Sequence, residues 1–229
     1  MIPNKVIDGL VRPSARDQAS FGGLWNAAIT LNTADTDGVK SSAATPIVET
    51  TYVLANFNGV LVDATGNLLD VDDGTPTPRS VSILTTTQAN AYNTTDPILI
   101  NGIWWWTGLP VTLSVYLTLA SGNETRYTSD LLSSITSIVV PAQLLDTGTI
   151  TVGCGIATAL QGNKSPHNVN GGGSRAIYVG GTGIVAPKLM FNTAEDAVPS
   201  YAAAPVGFMD LWVRSLHEAT TATGLVRCL

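Results

Sequence analysis

The most constraining feature of this sequence is a run of nine residues in which apolar and polar side chains alternate. From Val111 to Leu119 every odd position holds Val or Leu, and every even position holds Thr, Ser or Tyr. Side chains along a β-strand point alternately to its two faces. The run therefore predicts a strand of an antiparallel sheet, with one face in a core and the other in solvent.

Further segments of the same kind predict an all-β fold. Ser134–Val140 and Thr149–Gly153 are rich in residues that favour strands, and turn residues bound both. Glu124–Thr128 follows a Ser-Gly-Asn turn, and we expect it to return as a hairpin beside Val111–Leu119. Helical periodicity of convincing length is absent from the sequence. We therefore expect antiparallel β-sandwiches or small barrels.

Two polar, turn-rich stretches predict how the chain divides into two or three modules. The first is DDGTPTP at 72–78, and the second is QGNKSPHNVNGGG at 161–173. The predicted modules are an N-terminal arm and β-hairpin region (1–75), a central β-sandwich module (76–165) and a C-terminal β-module (166–229).

The N-terminal region carries one hairpin signal and one segment without clear pattern. Val60–Val62 and Leu68–Val71 flank a Gly-containing turn, which predicts a hairpin. Met1–Ser20 has little pattern. It is either an arm that packs on a neighbouring subunit or a partly ordered terminus.

The charge content favours an assembling protein over a nucleic-acid or membrane binder. Charged residues are only 12% of the 229, the net charge is −6, and the Lys and Arg residues are scattered. A surface this neutral tolerates close association, so we expect a homo-oligomer. The sequence has no basic stripe of the kind that indicates nucleic-acid binding. It also has no apolar run as long as a membrane span or a signal peptide. We expect the protein to be made and kept in a cytoplasm before any release.

Residues that carry chemistry are few, and their spacing predicts no enzyme, cofactor or metal site. His167 and His217 are the only histidines, and neither has a nucleophile or ligand set of useful spacing. Gly181–Ala186 matches a dinucleotide-binding string, but Pro187 and its β-like surroundings favour a turn. The acidic groups at 35–37 and 70–73 do not fit a calcium loop and are interpreted as turns.

The two cysteines do not form a disulfide framework. Cys154 and Cys228 are far apart in the chain, and both lie in strand-like segments. We interpret them as small buried apolar residues, and the sequence leaves a single bridge between them open.

Three consecutive tryptophans are the predicted interface residues. If Trp104, Trp105 and Trp106 continue a strand, Trp104 and Trp106 share one face and Trp105 takes the other, and both faces are apolar. A strand that is apolar on both faces is covered on both. The second cover is a domain or subunit interface, the module's own core, or a stacked carbohydrate, and we favour the interface.

The C-terminal region resembles a known family. Arg175–Gly180, Pro205–Gly207, Val213-Arg214 and Thr220–Val226 follow, in order, motifs of the C-terminal module of spike-base and head-decoration proteins of tailed phages and gene transfer agents. The resemblance covers about a quarter of the chain and departs from the pattern by an insertion at 192–204. More weakly, Ser133–Ile138 with Thr149–Gly155 resembles a β-sandwich module of other phage structural proteins.

These resemblances imply a virion protein that acts by assembly. The implied role is a non-enzymatic capsid-surface decoration or head spike-base subunit, assembled in the host cytoplasm. Its implied partners are further copies of itself and other virion proteins, such as the major capsid or a spike or fibre protein. Two alternatives are a tail, collar or head–tail adaptor protein and a carbohydrate-binding virion module that uses the tryptophans.

Overall fold

The computed structural model describes residues 33–86, 88–159, 176–189, 201–209 and 213–228. Within them, the helical content is a three-residue 3-10 turn, Leu54–Asn56, and no helix is long and apolar enough to span a bilayer. The strands are β1 (Asp35–Ala44), β2 (Thr50–Val53), β3 (Val81–Thr85), β4 (Ile98–Trp104), β5 (Pro110–Val115), β6 (Thr125–Tyr127), β7 (Leu132–Val140), β8 (Thr149–Cys154), β9 (Thr158–Ala159), β10 (Ala176–Val179), β11 (Gly183–Val185), β12 (Pro187–Leu189), β13 (Tyr201–Ala204), β14 (Gly207–Met209), β15 (Val213–Leu216) and β16 (Val226–Cys228). The predicted all-β fold is confirmed.

The first eight strands form two four-stranded antiparallel sheets. One sheet has the order β1-β8-β3-β6, and the other has the order β2-β7-β4-β5. The pairing is nested, because the first strand pairs with the eighth, the second with the seventh, the third with the sixth and the fourth with the fifth. This nesting is the topology of an eight-stranded jelly roll.

One continuous apolar core joins the two sheets. It includes Ile83 and Ile150 from the first sheet and Ile100, Leu113 and Ile138 from the second, all at most 5% exposed. Burying each such aliphatic side chain contributes about 1.5–3 kcal/mol to stability. Burial of this core is therefore the main source of the stabilising free energy that holds the two sheets face to face.

The alternation predicted over Val111–Leu119 is confirmed in part: it forms a half-buried strand at its start, but Leu119, predicted on the buried face, is 44% exposed, and the partner strand differs from the prediction. Leu113, Val115 and Leu117 are at most 2% exposed, while Tyr116 is 50% exposed. Regular pairing ends at Val115, and the segment pairs with β4. The expected hairpin with Glu124–Thr128 is wrong, since β6 pairs with β3 in the opposite sheet. Alternation identifies a buried face but not the strand beside it.

The predicted module boundary at 75/76 is also wrong. β1 and β2 lie before this boundary, yet they pair with β8 and β7 from the end of the predicted central module. The hairpin near it is confirmed in reduced form, as the bridge between Val62 and Leu68. Residues 35–154 therefore form one sandwich with one core, and the stretch at 72–78 is a surface turn within it. The second predicted boundary, 165/166, lies outside the described residues.

A second, smaller unit follows the sandwich. It contains a three-stranded sheet β14-β10-β16, a second three-stranded sheet β12-β15-β9 and the pair β11-β13. Its own apolar cluster includes Ile177, Val179, Val213, Leu216 and Leu225. β9 follows the sandwich directly and pairs with β15, so the first strand of this unit is β9.

The nested pairing sorts the loops of the sandwich to its two ends. The connections β1–β2, β3–β4, β5–β6 and β7–β8 lie at one end, which we call the distal tip. The connections β2–β3, β4–β5 and β6–β7 lie at the other end, together with the entry at Thr33 and the exit at Gly155. The side chain of Arg79 shows this convergence, because its guanidinium donates to the carbonyls of Thr33 and Gly155. The C-terminal unit contacts this second end.

Candidate functional site

The tryptophan segment forms a turn and not the continued strand that the sequence predicted. β4 ends at Trp104, and Trp105, Trp106 and Thr107 form the turn into β5. The Gly108 N–H donates to the Trp104 carbonyl at 2.8 Å, which closes the turn. Gly108 supplies the positive φ of 71° that this turn requires. The argument from two apolar strand faces therefore fails for Trp105 and Trp106.

The three indoles are nevertheless packed at one place. Trp105 and Trp106 meet edge to face with ring centroids 5.3 Å apart, and all three residues are half-buried. The indole N–H groups of Trp104 and Trp105 are buried and have no hydrogen-bond partner among the described residues. The proposed contact of Trp105 and Trp106 with another subunit stays a prediction.

Trp104 lies at the junction of the two units. The guanidinium of Arg214, on β15, lies over its ring at 4.9 Å from the centroid. The same guanidinium donates to a carboxylate oxygen of Asp130, which lies in the β6–β7 connection. Both charged side chains are at most 2% exposed, so this is a buried ion pair that bridges the sandwich and the C-terminal unit.

Glu218 makes a second polar bridge beside the first. Its carboxylate accepts hydrogen bonds from the Ser80 hydroxyl, from the Ile156 N–H at 2.9 Å and from the Ala157 N–H at 3.3 Å. A Cβ at Gly155 would lie 2.0 Å from a carboxylate oxygen of Glu218, so only glycine allows this approach. The interface between the units is thus specified by directed polar contacts.

His217 lies next to this junction, and its environment favours the neutral ring. Burial lowers the pKa of His217, the positive charge of Lys188 lowers it further, and Asp130 opposes them. The neutral ring accepts a hydrogen bond at Nδ1 from the Ala219 N–H at 3.3 Å. His167, the other histidine, lies outside the described residues.

The distal tip carries a cluster of exposed aliphatic side chains. Ile47 and Val48 are 62% and 66% exposed, and Leu144 and Leu145 are 57% and 45% exposed. These four residues belong to the β1–β2 and β7–β8 connections. The two loops are bonded together, since Gln143 N–H donates to the Pro46 carbonyl at 2.7 Å. Contiguous exposed apolar residues mark interaction surfaces more often than isolated ones do.

A shallow groove crosses the outer face of β4 and β5. It measures about 280 Å³ and is lined by Asn101, Gly102, Ile103, Pro110, Val111, Thr112 and Thr136. The Asn101 amide accepts from the Thr112 hydroxyl at 2.6 Å and donates to Ser137 at 3.0 Å. A bulge in β7 opposite Asn101 and Gly102 interrupts the regular pairing beside the groove.

The remaining candidates form local structure. Gly183–Val185 of the dinucleotide-like string forms β11, so no helix N-terminus faces a phosphate there. Asp73 accepts from the N–H and hydroxyl of Thr75, which lowers the pKa of Asp73. The described residues contain no group of three or more His, Cys, Asp or Glu side chains arranged to hold a metal ion. Cys154 is a buried free thiol, so it is not bridged to Cys228.

Sequence reasoning missed the two bridges at the junction. Val213-Arg214 was noted only as part of a motif, and Asp130 and Glu218 carried no signal at all. Each lies far from its partner in sequence, and Asp130 and Arg214 are 84 positions apart. The distal tip did leave a signal, because the pairs Ile47-Val48 and Leu144-Leu145 interrupt otherwise polar loops.

Comparison of the chain with protein-family models, with curated proteins and with solved structures finds no match.

Proposed function

We propose that this protein is a non-enzymatic structural subunit of a tailed-phage-like particle, as a capsid-surface decoration or head spike base. It acts by binding further copies of itself and other virion proteins. The observation that carries the proposal is the way in which the motif segments of the C-terminal resemblance meet in space. They are scattered over about 50 residues of sequence and come together in one small unit.

Residues of three of these segments meet in a single sheet. Val179 pairs with Gly207 on one side and Tyr178 pairs with Val226 on the other, so β10 is the central strand between β14 and β16. One glycine from each of two motifs also meets the other: Gly180 N–H donates to the Gly224 carbonyl at 3.1 Å. A Cβ at Gly180 would lie 2.8 Å from that carbonyl oxygen. The motif residues therefore have interdependent structural roles, as expected of a module signature.

The sandwich supports the same proposal by analogy. Jelly rolls occur in viral capsid proteins and in lectins, although a fold does not by itself define a function. The exposed aliphatic cluster at the distal tip and the low charge of the chain suit a subunit that is covered by neighbours.

The proposal is tested on particles. Particles released by the strain that carries this gene are purified on a density gradient and analysed by mass spectrometry and electron microscopy. We expect the chain to co-purify with the major capsid protein at a fixed ratio, and an antibody against it to label the head. A chain that is abundant in lysate and absent from purified particles would disprove the proposal. Labelling of the collar or tail would instead favour the alternative of a tail, collar or adaptor protein.

One observation favours the second candidate, a carbohydrate-binding module. The groove beside the tryptophan turn offers amide and hydroxyl groups from Asn101, Thr112 and Thr136 next to apolar surface from Ile103 and Pro110. Such a mixture suits a sugar, which presents hydroxyls and C–H groups. A glycan array on the isolated protein tests it, with Thr112→Val as the groove variant and Thr51→Val, exposed on β2, as the control. Binding lost only in Thr112→Val would support this function.

A further inference from the structure

The distal tip has a charged rim of a single sign. Glu49 follows Val48, Asp146 follows Leu145, and all are exposed. Asp96, also exposed, joins the rim through Asn93, whose amide donates to Asp96 at 3.0 Å and to the Ala142 carbonyl at 3.1 Å. The tip loops at 45–49, 91–97, 116–124 and 141–148 contain no Lys or Arg. The surface is thus apolar in its centre and acidic around it.

Hydrogen bonds fix these loops to the sandwich and to one another. Leu144 N–H donates to the Ala91 carbonyl at 3.0 Å, and Asn93 N–H donates to the Gln143 side chain at 3.0 Å. The Thr45 hydroxyl donates to the Leu145 carbonyl at 2.5 Å, and Gln143 is only 5% exposed. A preorganised surface loses little conformational entropy when it is covered. The aliphatic groups are therefore presented to solvent by a fixed framework.

We propose that the distal tip of one copy binds residues 1–16 of a second copy. The composition of that segment, MIPNKVIDGLVRPSAR, complements the apolar and acidic groups of the tip. It carries three cations, Lys5, Arg12 and Arg16, against one carboxylate, Asp8. Apolar residues lie between the charges, so the segment matches both the apolar centre and the acidic rim.

A contact between two identical tips fits the charges less well. In such a symmetric contact, Glu49 and Asp146 of one copy would approach the same carboxylates of the other copy, and like charges at an interface are unfavourable. The cationic segment removes this conflict. Three of the eleven Lys and Arg residues of the chain lie within its first 16 positions.

The chain enters the sandwich far from the distal tip. Residues 1–32 lie outside the described residues, and the chain enters at Thr33, at the end opposite the tip. Between these ends runs β1, whose ten residues span about 33 Å. A contact between residues 1–16 of one copy and the distal tip of another is heterologous, and heterologous contacts generate head-to-tail assembly of identical subunits. The choice of a second copy as donor rests on the proposed assembly function.

Reversal of charge tests the contact in the full-length protein. Sedimentation velocity over a range of concentrations measures self-association of the parent protein, the tip variant Glu49→Lys/Asp146→Lys and the segment variant Lys5→Glu/Arg12→Glu. We expect each variant to weaken self-association by roughly tenfold or more, and their combination to restore it. Added salt should weaken the parent association.

Matched controls separate the tip from general effects. Asp37→Lys/Asp72→Lys makes the same change in net charge with exposed carboxylates outside the tip loops, and it should leave self-association unchanged. Leu144→Ser should weaken self-association, whereas Val60→Ser, at a 77% exposed site outside the tip, should not. Circular dichroism of each variant confirms that it is folded.

Three results would overturn the proposal. They are a parent protein that stays monomeric at every concentration, a combination variant that fails to regain association, and an equal response of the control variants. Because this experiment uses purified protein, its failure leaves incorporation into particles untouched. Absence of the chain from particles would conversely leave the contact standing.

Discussion

At the scale of single residues, burial decides the chemistry of the few reactive groups. Cys154 is 1% exposed and lies on β8 inside the sandwich core. Burial raises the pKa of the Cys154 thiol to about 12, and the nearby Arg79 opposes the shift only in part. His217 shows the reverse case of a base held neutral.

Cys154 should therefore resist alkylation while the protein is folded. In a Cys228→Ser background, we expect iodoacetamide to leave Cys154 unmodified at pH 8 over hours, because the thiolate is the nucleophile and the thiol is inaccessible. Urea unfolding should make the modification fast. Mass spectrometry measures the alkylated fraction, and rapid labelling without urea would contradict the buried position.

His217 predicts a pH dependence with a defined sign. Its folded pKa lies below the ordinary value of 6.5, so the unfolded state takes up the proton first as the pH falls. The stability that it contributes is present above pH 6.5 and is lost as the pH falls through the folded pKa. We expect His217→Gln to flatten this part of the urea-stability profile relative to the parent protein. His167→Gln serves as the control, and an identical profile for the two variants would contradict the assignment.

At the scale of elements, the turns and the edge strands depend on particular residues more than the central strands do. The hairpin between Val62 and Leu68 turns at Gly66, which has a φ of 90°. A Cβ there would lie 2.3 Å from the carbonyl oxygen of Ile135 on β7. The turn therefore docks against the sandwich through a residue without a side chain.

Gly66→Ala should destabilise the protein more than Gly74→Ala does. Gly74 also has positive φ, at 69°, but no atom would meet an added Cβ within 4 Å. Gly74→Ala should lower the free energy of unfolding by about 1 kcal/mol, through backbone strain alone. Gly66→Ala should lower it by about 1–3 kcal/mol more, because its Cβ also clashes with the backbone of β7. Urea unfolding measures both, and equal effects would show that the turn moves away freely.

The last strand should be required by the C-terminal unit. β16 pairs with β10 at the edge of its sheet, and Leu225 before it is 3% exposed in the second core. Deleting 225–229 removes this core residue and uncovers an edge of β10, so we expect aggregation or loss of the unit's protease resistance. Limited proteolysis with mass spectrometry follows the unit, and a truncated protein with unchanged melting temperature would contradict this role.

At the scale of the whole molecule, the sandwich and the C-terminal unit are coupled by buried charge. Removing one member of such a pair leaves the other as an uncompensated charge, which costs about 3–5 kcal/mol. Replacing both by apolar residues restores much of the loss. The pair of Asp130 and Arg214 is therefore expected to specify how the units fit together.

Asp130→Asn should separate the unfolding of the two units. We expect the parent protein to unfold in one transition. We expect the variant to be less stable and to unfold in two transitions, because the ion pair no longer couples the units and the Glu218 contacts alone are weaker. Tryptophan fluorescence and circular dichroism, recorded together in urea, measure this. Asp72→Asn, at an exposed site, should have no effect, and Asp130→Leu/Arg214→Met should regain stability. If the fluorescence and circular dichroism curves of Asp130→Asn coincide in a single transition, the proposed coupling is wrong.

The sequence by itself determined the class of fold and the position of many strands. Alternation at 111–119, β-branched runs ending at Pro141 and the Asp-Thr-Gly turn before Thr149 are local features, and a strand's buried face is encoded by its own residues. The Gly-containing turn between Val62 and Leu68 was found for the same reason.

Only the tertiary structure decided which strands pair, where the units divide and which charged residues meet. β1 pairs with β8 across more than 100 residues, and Asp130 meets Arg214 across 84. Pairing partners share only a generic backbone chemistry, so alternation and turn residues cannot specify them. The turn at Trp105 was missed for the same reason. Its apolar residues are as compatible with a strand as with a turn, and only the pairing of β4 with β5 shows that the chain reverses there.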